Sequence, residues 1–259
     1  MGLKLGKNSL YQPREVIAIG DIHANFSKLF NLISKLLPLK EGTHLVFTGD
    51  LIDRGEDFFL VLDYLKNLKA KYQNQVFFLK GNHDQSLVTY LSPNSEWYNI
   101  NVKNWLKYGG QITKDQLQAR YGSLDQIKEG LYVDGYMEIF DSMLPYYETA
   151  SEFISHAPID PFHAYMYLEE KEKNLKDPDK AIVLLEGLAE HLKHKIYSSF
   201  TEEVPFSIPT WDNLKIEKKF ISGHQSSGKL YPRTKSNRVF LDVVGDKLFA
   251  YSSVFGIIS

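Results

Sequence analysis

Residues 49–55, Gly-Asp-Leu-Ile-Asp-Arg-Gly, constrain this chain more than any other stretch. They place carboxylates at Asp50 and Asp53 and a guanidinium at Arg54, directly after the apolar run 44–48. That run is typical of a short buried strand, so the acidic pair is expected where the strand leaves its sheet. Carboxylates this close ionise together only when a cation lies between them, and Arg54 alone cannot neutralise both. The stretch therefore predicts a metal site at a strand end.

The same order, an apolar run followed by polar residues, occurs on both sides of this stretch. Upstream, the run 16–20 leads to Asp21 and His23, whose i, i+2 spacing points both side chains the same way from an extended backbone. Downstream, the run 76–79 leads to a Gly-Asn-His-Asp sequence at 81–84. Three strands that end in Asp, His and Asn predict a crevice lined by metal-binding side chains.

Amphipathic patterns between these strands predict helices. One covers residues 26–37 and stops at Pro38, and a second runs from Phe58 to Leu68. Strand, polar loop and helix thus alternate at a spacing typical of βαβ units, which predicts a parallel core of three strands.

The later part of the chain mixes helical and strand patterns. From about residue 90 to 150 the strand pattern lapses and aromatic residues indicate a helical insertion, and a second is expected at about 162–210. Apolar runs at 238–243 and 248–251 flank Gly245-Asp246, a pair that favours a two-residue hairpin.

Taken in order, the polar motifs resemble those of the calcineurin-like metallophosphoesterases. Segments 20–23, 49–55 and 81–84 match the family patterns G-D-x-H, G-D-x-x-D-R-G and G-N-H-[DE]. The segment 156–158, His-Ala-Pro, is similar to the fourth motif, H-A-G, and the Gly-His pair at 223–224 is similar to the fifth. Because the second motif contains an arginine, it resembles the corresponding motif of the phosphoprotein phosphatase branch. The fold this implies is α/β, a sandwich of two mixed β-sheets flanked by α-helices, with helical insertions.

The resemblance extends over about residues 16–252. Within the family, the chain resembles the bacterial and phage serine/threonine protein phosphatases and the symmetrical diadenosine tetraphosphatases. Residues 105–113 resemble a W-x-x-x-G-G-x-x-T segment of the bacterial and phage branch, although a helix-breaking turn explains them equally well. One departure concerns Trp-Asp-Asn at 211–213, where relatives often carry W-x-R and a second phosphate clamp. No Arg occurs between Arg120 and Arg233. Either another side chain takes that role, or phosphate is held less firmly.

The resemblance implies a metal centre residue by residue. Two divalent ions would be held by Asp21, His23, Asp50, Asn82, His156 and His224. Asp50 would bridge the ions, which would activate a water molecule for attack on phosphorus. Because the chain has no Cys, only His, Asp and Asn donors remain, and we expect manganese, with iron or zinc as alternatives.

Three neighbouring residues, Asp53, Arg54 and His83, complete the implied site together with Asn82. Arg54 and Asn82 would bind substrate, with the planar fork of Arg54 directed at the phosphoryl oxygens. Asp53 would orient His83, which would donate a proton to the leaving oxygen. A single His or Asp is more commonly a turn former or a surface group. Five motifs in the family's order, each after an apolar strand, favour the metal site instead.

Composition limits the remaining possibilities. A chain of 259 residues can bury one sizeable core, and we expect a single domain over residues 1–259. The net charge of −2 and the absence of a Lys/Arg-rich block disfavour a nucleic-acid polymer as partner. No apolar run approaches the length of a membrane span, and the N-terminus lacks the apolar core of a signal peptide. We therefore expect a cytoplasmic protein with no membrane partner.

The function implied is that of a metal-dependent phosphoric monoester hydrolase acting on phosphorylated proteins. An alternative is a symmetrical dinucleoside polyphosphate hydrolase, because the diadenosine tetraphosphatases share the five motifs. The substrate would then be a small phosphoester or nucleotide. A remote alternative is a non-catalytic scaffold on the same fold, since a fold alone does not guarantee activity.

Overall fold

The computed structural model describes residues 12–93, 98–159, 164, 218–224, 233–235, 237–242 and 247–259. Within these ranges the chain forms two five-stranded mixed sheets, with helices packed against the first. The expectation of an α/β sandwich of two mixed sheets is confirmed. Apart from residue 164, the second expected insertion at 162–210 lies outside the described residues, as does the segment 211–213.

The first sheet contains the predicted parallel core. Its parallel strands are β1 (Glu15–Ile19), β2 (Thr43–Phe47) and β3 (Val76–Phe78). Strands β9 (Ala250–Ser252) and β10 (Gly256–Ile258) extend the sheet beyond β1 in antiparallel fashion. Because the three parallel strands point the same way, the loops after them open at one edge of the sheet.

Helices α1 (Phe26–Leu36) and α2 (Phe58–Tyr72) connect the parallel strands, as the amphipathic patterns predict. The side chain of Asn25 caps α1 by accepting a hydrogen bond from the backbone N of Lys28 at 3.0 Å. Pro38 follows shortly after the last turn and cannot continue the helix. The chain therefore leaves the helix here and enters β2 at Thr43.

Strand β1 buries both of its faces, which explains its uninterrupted apolar run. Ile17 and Ile19 belong to the cluster formed with the helices, whereas Val16 and Ala18 pack against the second sheet. The strand is thus held between two layers. Packing on both faces therefore fixes the position from which the residues after β1 begin.

The second sheet runs in the order β4-β5-β6-β8-β7. Its strands are β4 (Tyr146–Glu148), β5 (Glu152–Ser155), β6 (Lys219–Ser222), β7 (Arg233–Lys235) and β8 (Arg238–Phe240). Strands β5, β6 and β8 are parallel, and β4 and β7 pair with them in antiparallel fashion. The loops after β5 and β6 therefore also open on one side.

The predicted hairpin at Gly245-Asp246 is wrong. The apolar run before it forms β8 in the second sheet, and the run after it forms β9 in the first sheet. A Gly-Asp pair signals a local turn, but it does not specify which strand each flanking run will join. Here the chain passes from one sheet to the other.

The predicted insertion after β3 is mainly helical. Helix α3 (Asn82–Tyr90) leads into it, and it contains α4 (Tyr98–Trp105), α5 (Gln111–Tyr121), α6 (Leu124–Val133) and α7 (Met137–Asp141). The insertion ends earlier than expected, because β4 lies within the range predicted as helical. Among the described helices, none combines the length and the apolar character needed to cross a membrane.

Candidate metal centre

The segments that directly follow five strands bring the predicted site residues to one place. Asp21 and His23 follow β1, Asp50 follows β2, Asn82 and His83 follow β3, His156 follows β5, and His224 follows β6. Two groups of potential ligands result, in each of which the ligand atoms lie within 4.8 Å of one another. The first consists of His23, Asp50 and His83, and the second of Asp50, His156 and His224. Asp50 is common to both.

The backbone of this site is strained. His23, Asp50, Asp53, Arg54 and His224 have φ values of 49°, 50°, 72°, 63° and 57°. Residues other than glycine adopt such left-handed conformations in only a few per cent of cases, and each instance costs about 1–3 kcal/mol. Strain of this kind concentrates at functional sites, where the surrounding structure imposes it.

Asp50 lies at the centre of the cluster and is almost completely buried. Its Oδ2 is 3.9 Å from His23 Nε2 and 4.0 Å from His83 Nε2, and its Oδ1 is 3.5 Å from His156 Nε2. The backbone N of His83 donates to Oδ1 at 3.0 Å. The carboxylate is therefore oriented toward both groups of histidines.

Asn82, His156 and His224 form a triangle of acceptor atoms. Asn82 Oδ1 lies 2.8 Å from His224 Nδ1 and 3.0 Å from His156 Nε2, and the two imidazole nitrogens are 3.0 Å apart. A proton on one nitrogen satisfies only part of these contacts. A cation bound between the three atoms would satisfy all of them, and imidazole nitrogen with amide or carboxylate oxygen is a donor set that suits divalent transition metals.

Backbone carbonyl groups set the orientation of two histidines. His23 Nδ1 contacts the carbonyl O of Ile52 at 3.1 Å, and His156 Nδ1 contacts that of Thr48 at 3.0 Å. These contacts place the proton on Nδ1 and leave Nε2 with a free lone pair directed into the site. His23 Nε2 is buried and has no hydrogen-bond partner among the described residues. The residues present therefore fit a metal centre.

The pKa shifts of the histidines favour the form that binds metal. Burial, together with the charges of Arg54 and His83, lowers the pKa of His23 to about 4 despite the opposing effect of Asp50. Burial and the neighbouring His156 lower the pKa of His224 to about 4. Both imidazoles are therefore neutral near pH 7, and metal ligation requires the neutral ring.

Asp21 lies at the edge of the cluster. Both of its carboxylate oxygens accept a hydrogen bond from the backbone N of His224, at 3.2 and 3.0 Å. Burial and the nearby charges of Asp50 and Asp242 raise the pKa of Asp21 well above its usual value. A buried carboxylate beside a second one is stabilised in its charged form by a cation. The group of potential ligands that contains His23 and Asp50 has His83 as its third member, and not Asp21.

A second set of contacts joins Asp53, His83 and Arg54. Asp53 Oδ2 lies 2.6 Å from His83 Nδ1, and both side chains are buried. Burial lowers the pKa of His83, but Asp50 and Asp53 outweigh burial and raise it overall. Nη2 of Arg54 contacts His83 Nε2 at 3.2 Å from the exposed side of the site. The histidine is thus held by a carboxylate on one nitrogen and faces a guanidinium with the other.

Two contributing residues have no role in the sequence-based prediction. Asp84 accepts hydrogen bonds from the backbone N of Asp50, Leu51 and Gly81, at 2.7, 3.0 and 3.1 Å, and so holds the turn that presents Asp50. Burial and the charge of Asp50 raise the pKa of Asp84 to about 8. An acidic residue in the first turn of α3, at the end of the third motif, is the signal that could have identified it.

Trp105 is the second such residue. Its Nε1 donates to Asp53 Oδ2 at 2.6 Å, so this oxygen has two donors. The turn that follows α4 contains Gly109, whose φ of 114° favours glycine and whose carbonyl O accepts from the backbone N of Arg54 at 3.2 Å. A Cβ on Gly110 would lie 2.3 Å from the Trp105 ring. The segment 105–113 therefore packs against the site and does more than break a helix.

Comparison with known proteins agrees with this geometry. The sequence model of one family, described as "Calcineurin-like phosphoesterase", matches residues 15–187. A Caenorhabditis elegans protein named "Putative serine/threonine-protein phosphatase C06A1.3" is 36% identical over 94 residues, which make up 35% of this chain and 23% of that protein. Serine/threonine-protein phosphatase 2B catalytic subunit A2 of Saccharomyces cerevisiae is 30% identical over 99 residues, 37% of this chain and 16% of that protein. The chain thus matches less than a quarter of the length of either relative.

A solved structure described as "a putative diadenosine tetraphosphatase" is similar over 94% of this chain and 91% of that chain. Its TM-score is 0.54 and its sequence identity is 19%. At this level of identity the similarity shows a shared fold.

Proposed function

Because the chain belongs to the calcineurin-like phosphoesterase family, we propose that it is a metal-dependent phosphatase that hydrolyses phosphoric monoesters in proteins. The observation that carries this proposal is the position of Asp50. It joins two groups of potential metal ligands, and the paired Asp53 and His83 lie directly beside it. Metal ligands, an acid–base pair and an arginine in one strained cluster are the parts that phosphoester hydrolysis requires.

The metal centre would be formed by six residues. Asp21, His23, Asp50, Asn82, His156 and His224 would hold two divalent ions. We expect manganese first, with iron or zinc as alternatives, because the donors are imidazole, carboxylate and amide groups. When bound, the ions supply a Lewis acid and a low-pKa water for attack on phosphorus. Asp84 would keep Asp50 in place through its three backbone contacts.

Arg54 would bind the phosphoryl group. Its side chain is exposed and its backbone N is tied to Gly109, so the guanidinium can move while the Cα stays fixed. The guanidinium can only donate hydrogen bonds, and in the present geometry it donates to His83 Nε2 at 3.2 Å. A phosphate would attract it away from the histidine, because a bidentate contact with an anion is stronger than one with a neutral ring. Asn82 would contact the same phosphoryl group.

His83 would act as general acid once Arg54 has moved. Departure of the guanidinium frees Nε2 and removes a charge that lowers the pKa of His83. Asp53 holds the opposite nitrogen at 2.6 Å and stabilises the imidazolium. Nε2 would then take up a proton from solvent and give it to the leaving alkoxide oxygen. Substrate binding and acid activation are coupled in this sequence of events.

A second candidate function is symmetrical hydrolysis of dinucleoside polyphosphates. The observation that favours it is the similarity over almost the full length of the solved structure described as a diadenosine tetraphosphatase. A non-catalytic scaffold is disfavoured, because every metal-ligand position of the five motifs, together with the positions of Arg54 and His83, carries a side chain able to perform its role.

Purified protein incubated with Mn²⁺ should release phosphate from a phosphoserine peptide faster than it cleaves diadenosine tetraphosphate. A higher kcat/KM on the dinucleotide would favour the second function. No hydrolysis of either compound, or of p-nitrophenyl phosphate, by protein shown to contain metal would refute a phosphatase altogether.

A further inference from the structure

Thr48, directly after β2, is a buried residue whose side chain has no part in the mechanism above. The residue is 0% exposed, and its Oγ1 has no hydrogen-bond partner among the described residues. A hydroxyl can donate one hydrogen bond and accept others, and buried polar atoms without a partner are uncommon in native proteins. The groups that surround this hydroxyl should therefore indicate what it binds.

Gly223 brings the Thr48 hydroxyl close to the Asp21 carboxylate. A Cβ on this glycine would lie 2.0 Å from Asp21 Oδ1 and 2.7 Å from Thr48 Oγ1. Both distances are shorter than any van der Waals contact with carbon, so only a residue without a side chain allows the chain to approach the two oxygens this closely. The two oxygens therefore lie against the same point of the chain, directly after β6.

The backbone of Thr48 is fixed on two sides. Its N donates to the carbonyl O of Ile19 at 2.9 Å, and its own carbonyl O is the group that His156 Nδ1 contacts at 3.0 Å. Ile19 is the last residue of β1 and lies two positions before Asp21. A β-branched side chain is also restricted at χ1. The first sheet and His156 therefore set the position of the hydroxyl relative to Asp21.

Asp21 has capacity for a further hydrogen-bond donor. Among the described residues only the backbone N of His224 donates to it, and this single N–H is shared between both carboxylate oxygens. An ionised carboxylate has about four acceptor positions. A second donor held by the fold would restrain the orientation of the carboxylate, which one shared amide cannot do.

We propose that Thr48 is a positioning residue of the metal centre, whose hydroxyl donates to Asp21 Oδ1 and orients this carboxylate for metal binding. This inference rests on the proposed function, in which Asp21 is a metal ligand. A hydrogen bond to an ionised oxygen is stronger than one between neutral groups, and carboxylates that bind metal are commonly held by such outer partners. Thr48 would then support both halves of the centre, through its carbonyl O at His156 and its hydroxyl at Asp21.

Thr48→Val tests this role, because valine keeps the shape of threonine and removes the hydroxyl. Calorimetric titration of metal-stripped protein with Mn²⁺ should show one binding step weakened by about 10- to 100-fold, the usual effect of losing an outer partner of a ligand. Asp21→Asn should weaken the same step. Thr48→Ser keeps the hydroxyl and should bind Mn²⁺ within about threefold of the wild type.

Thermal unfolding separates positioning from support of the fold. Because the hydroxyl has no partner among the described residues, Thr48→Val should not lower the Tm of metal-stripped protein, but it should reduce the rise in Tm that Mn²⁺ produces. Thr48→Ser should do the reverse, since it leaves a cavity in place of the methyl group. The matched control is Thr43→Val, a buried threonine at the opposite end of β2, which should leave Mn²⁺ binding unchanged.

Three results would overturn this role. They are a Thr48→Val variant that binds Mn²⁺ as tightly as the wild type, an equal loss in Thr43→Val, and a Tm lowered to the same extent with and without Mn²⁺. A wild-type protein that binds no Mn²⁺ would refute the metal centre and the role of Thr48 together. Calorimetry requires no substrate, so a protein that binds Mn²⁺ but hydrolyses no phosphoester would refute the proposed function while the titrations still decide the role of Thr48.

Discussion

Replacing Trp105 with Phe isolates the contribution of one hydrogen bond to the proposed acid. The indole Nε1 and His83 Nδ1 both donate to Asp53 Oδ2 at 2.6 Å, while Oδ1 has no hydrogen-bond partner among the described residues. Without the indole, only His83 restrains the carboxylate. Asp53 Oδ2 then accepts from His83 alone and holds the His83 proton more tightly. We therefore expect His83 to be both less well oriented and a weaker acid.

The size of the effect follows from the bond that is lost. A hydrogen bond to a charged group contributes about 1.5–3 kcal/mol, which corresponds to about 10- to 150-fold in rate. Because Asp53 keeps His83 as a donor, we expect the lower end, about tenfold in kcat on a phosphoserine peptide. Hydrolysis of p-nitrophenyl phosphate should fall by less than about threefold, since nitrophenolate leaves without a proton.

The assay compares kcat on the two substrates, with metal content and thermal unfolding measured on the same samples. Tyr136→Phe is the matched control, because it removes a buried donor to Asp63 at 2.8 Å on another part of the chain. It should lower stability without changing the ratio of the two rates. Equal losses on both substrates in Trp105→Phe, with metal retained, would refute the positioning role of Trp105.

Three further changes test the remaining parts of the site. His83→Asn should slow phosphoserine hydrolysis by about 10²–10⁴-fold and p-nitrophenyl phosphate much less, and equal losses with metal bound would rule out proton donation. Arg54→Ala should keep its metal and lose about 10²–10³-fold in kcat/KM, so an unchanged kcat/KM would exclude phosphoryl binding. Asp50→Asn should lose metal measured by mass spectrometry, whereas Asp63→Asn should not, and chelated wild type should be inert until Mn²⁺ is added back. Full activity in metal-free protein would contradict the mechanism.

Much of the fold could be predicted because its signals are local. The runs 16–19, 45–47 and 76–79, which precede Asp21, Asp50 and Asn82, are apolar, as strands buried on both faces must be, and the structure places β1, β2 and β3 there. The helices between these strands are predicted by the periodic spacing of their apolar residues. The hairpin at Gly245-Asp246 failed because sheet membership depends on distant partners, which a two-residue signal does not contain.

The site was predictable as a set of residues but not as a set of contacts. The motifs placed Asp53 next to Arg54 and His83 next to Asn82, yet nothing in the spacing indicated that the Arg54 guanidinium contacts the His83 ring. Trp105 lies 52 positions from Asp53, so their hydrogen bond could only be recognised in three dimensions. Asp84 was overlooked because its partners are backbone amides, which every residue carries.

The turn after α4 is fastened to the site at two points, through Trp105 to Asp53 and through Gly109 to Arg54. The residues that would hold metal belong to other loops. Local unfolding of α4 and α5 would therefore release the acid and the phosphoryl-binding side chain while leaving the metal in place. On heating, hydrogen exchange of the amides in α4 and α5 should then increase together with the loss of activity and before any loss of metal. The protein could pass through a metal-loaded but inactive form on heating, one that refolds without having to capture its ions again.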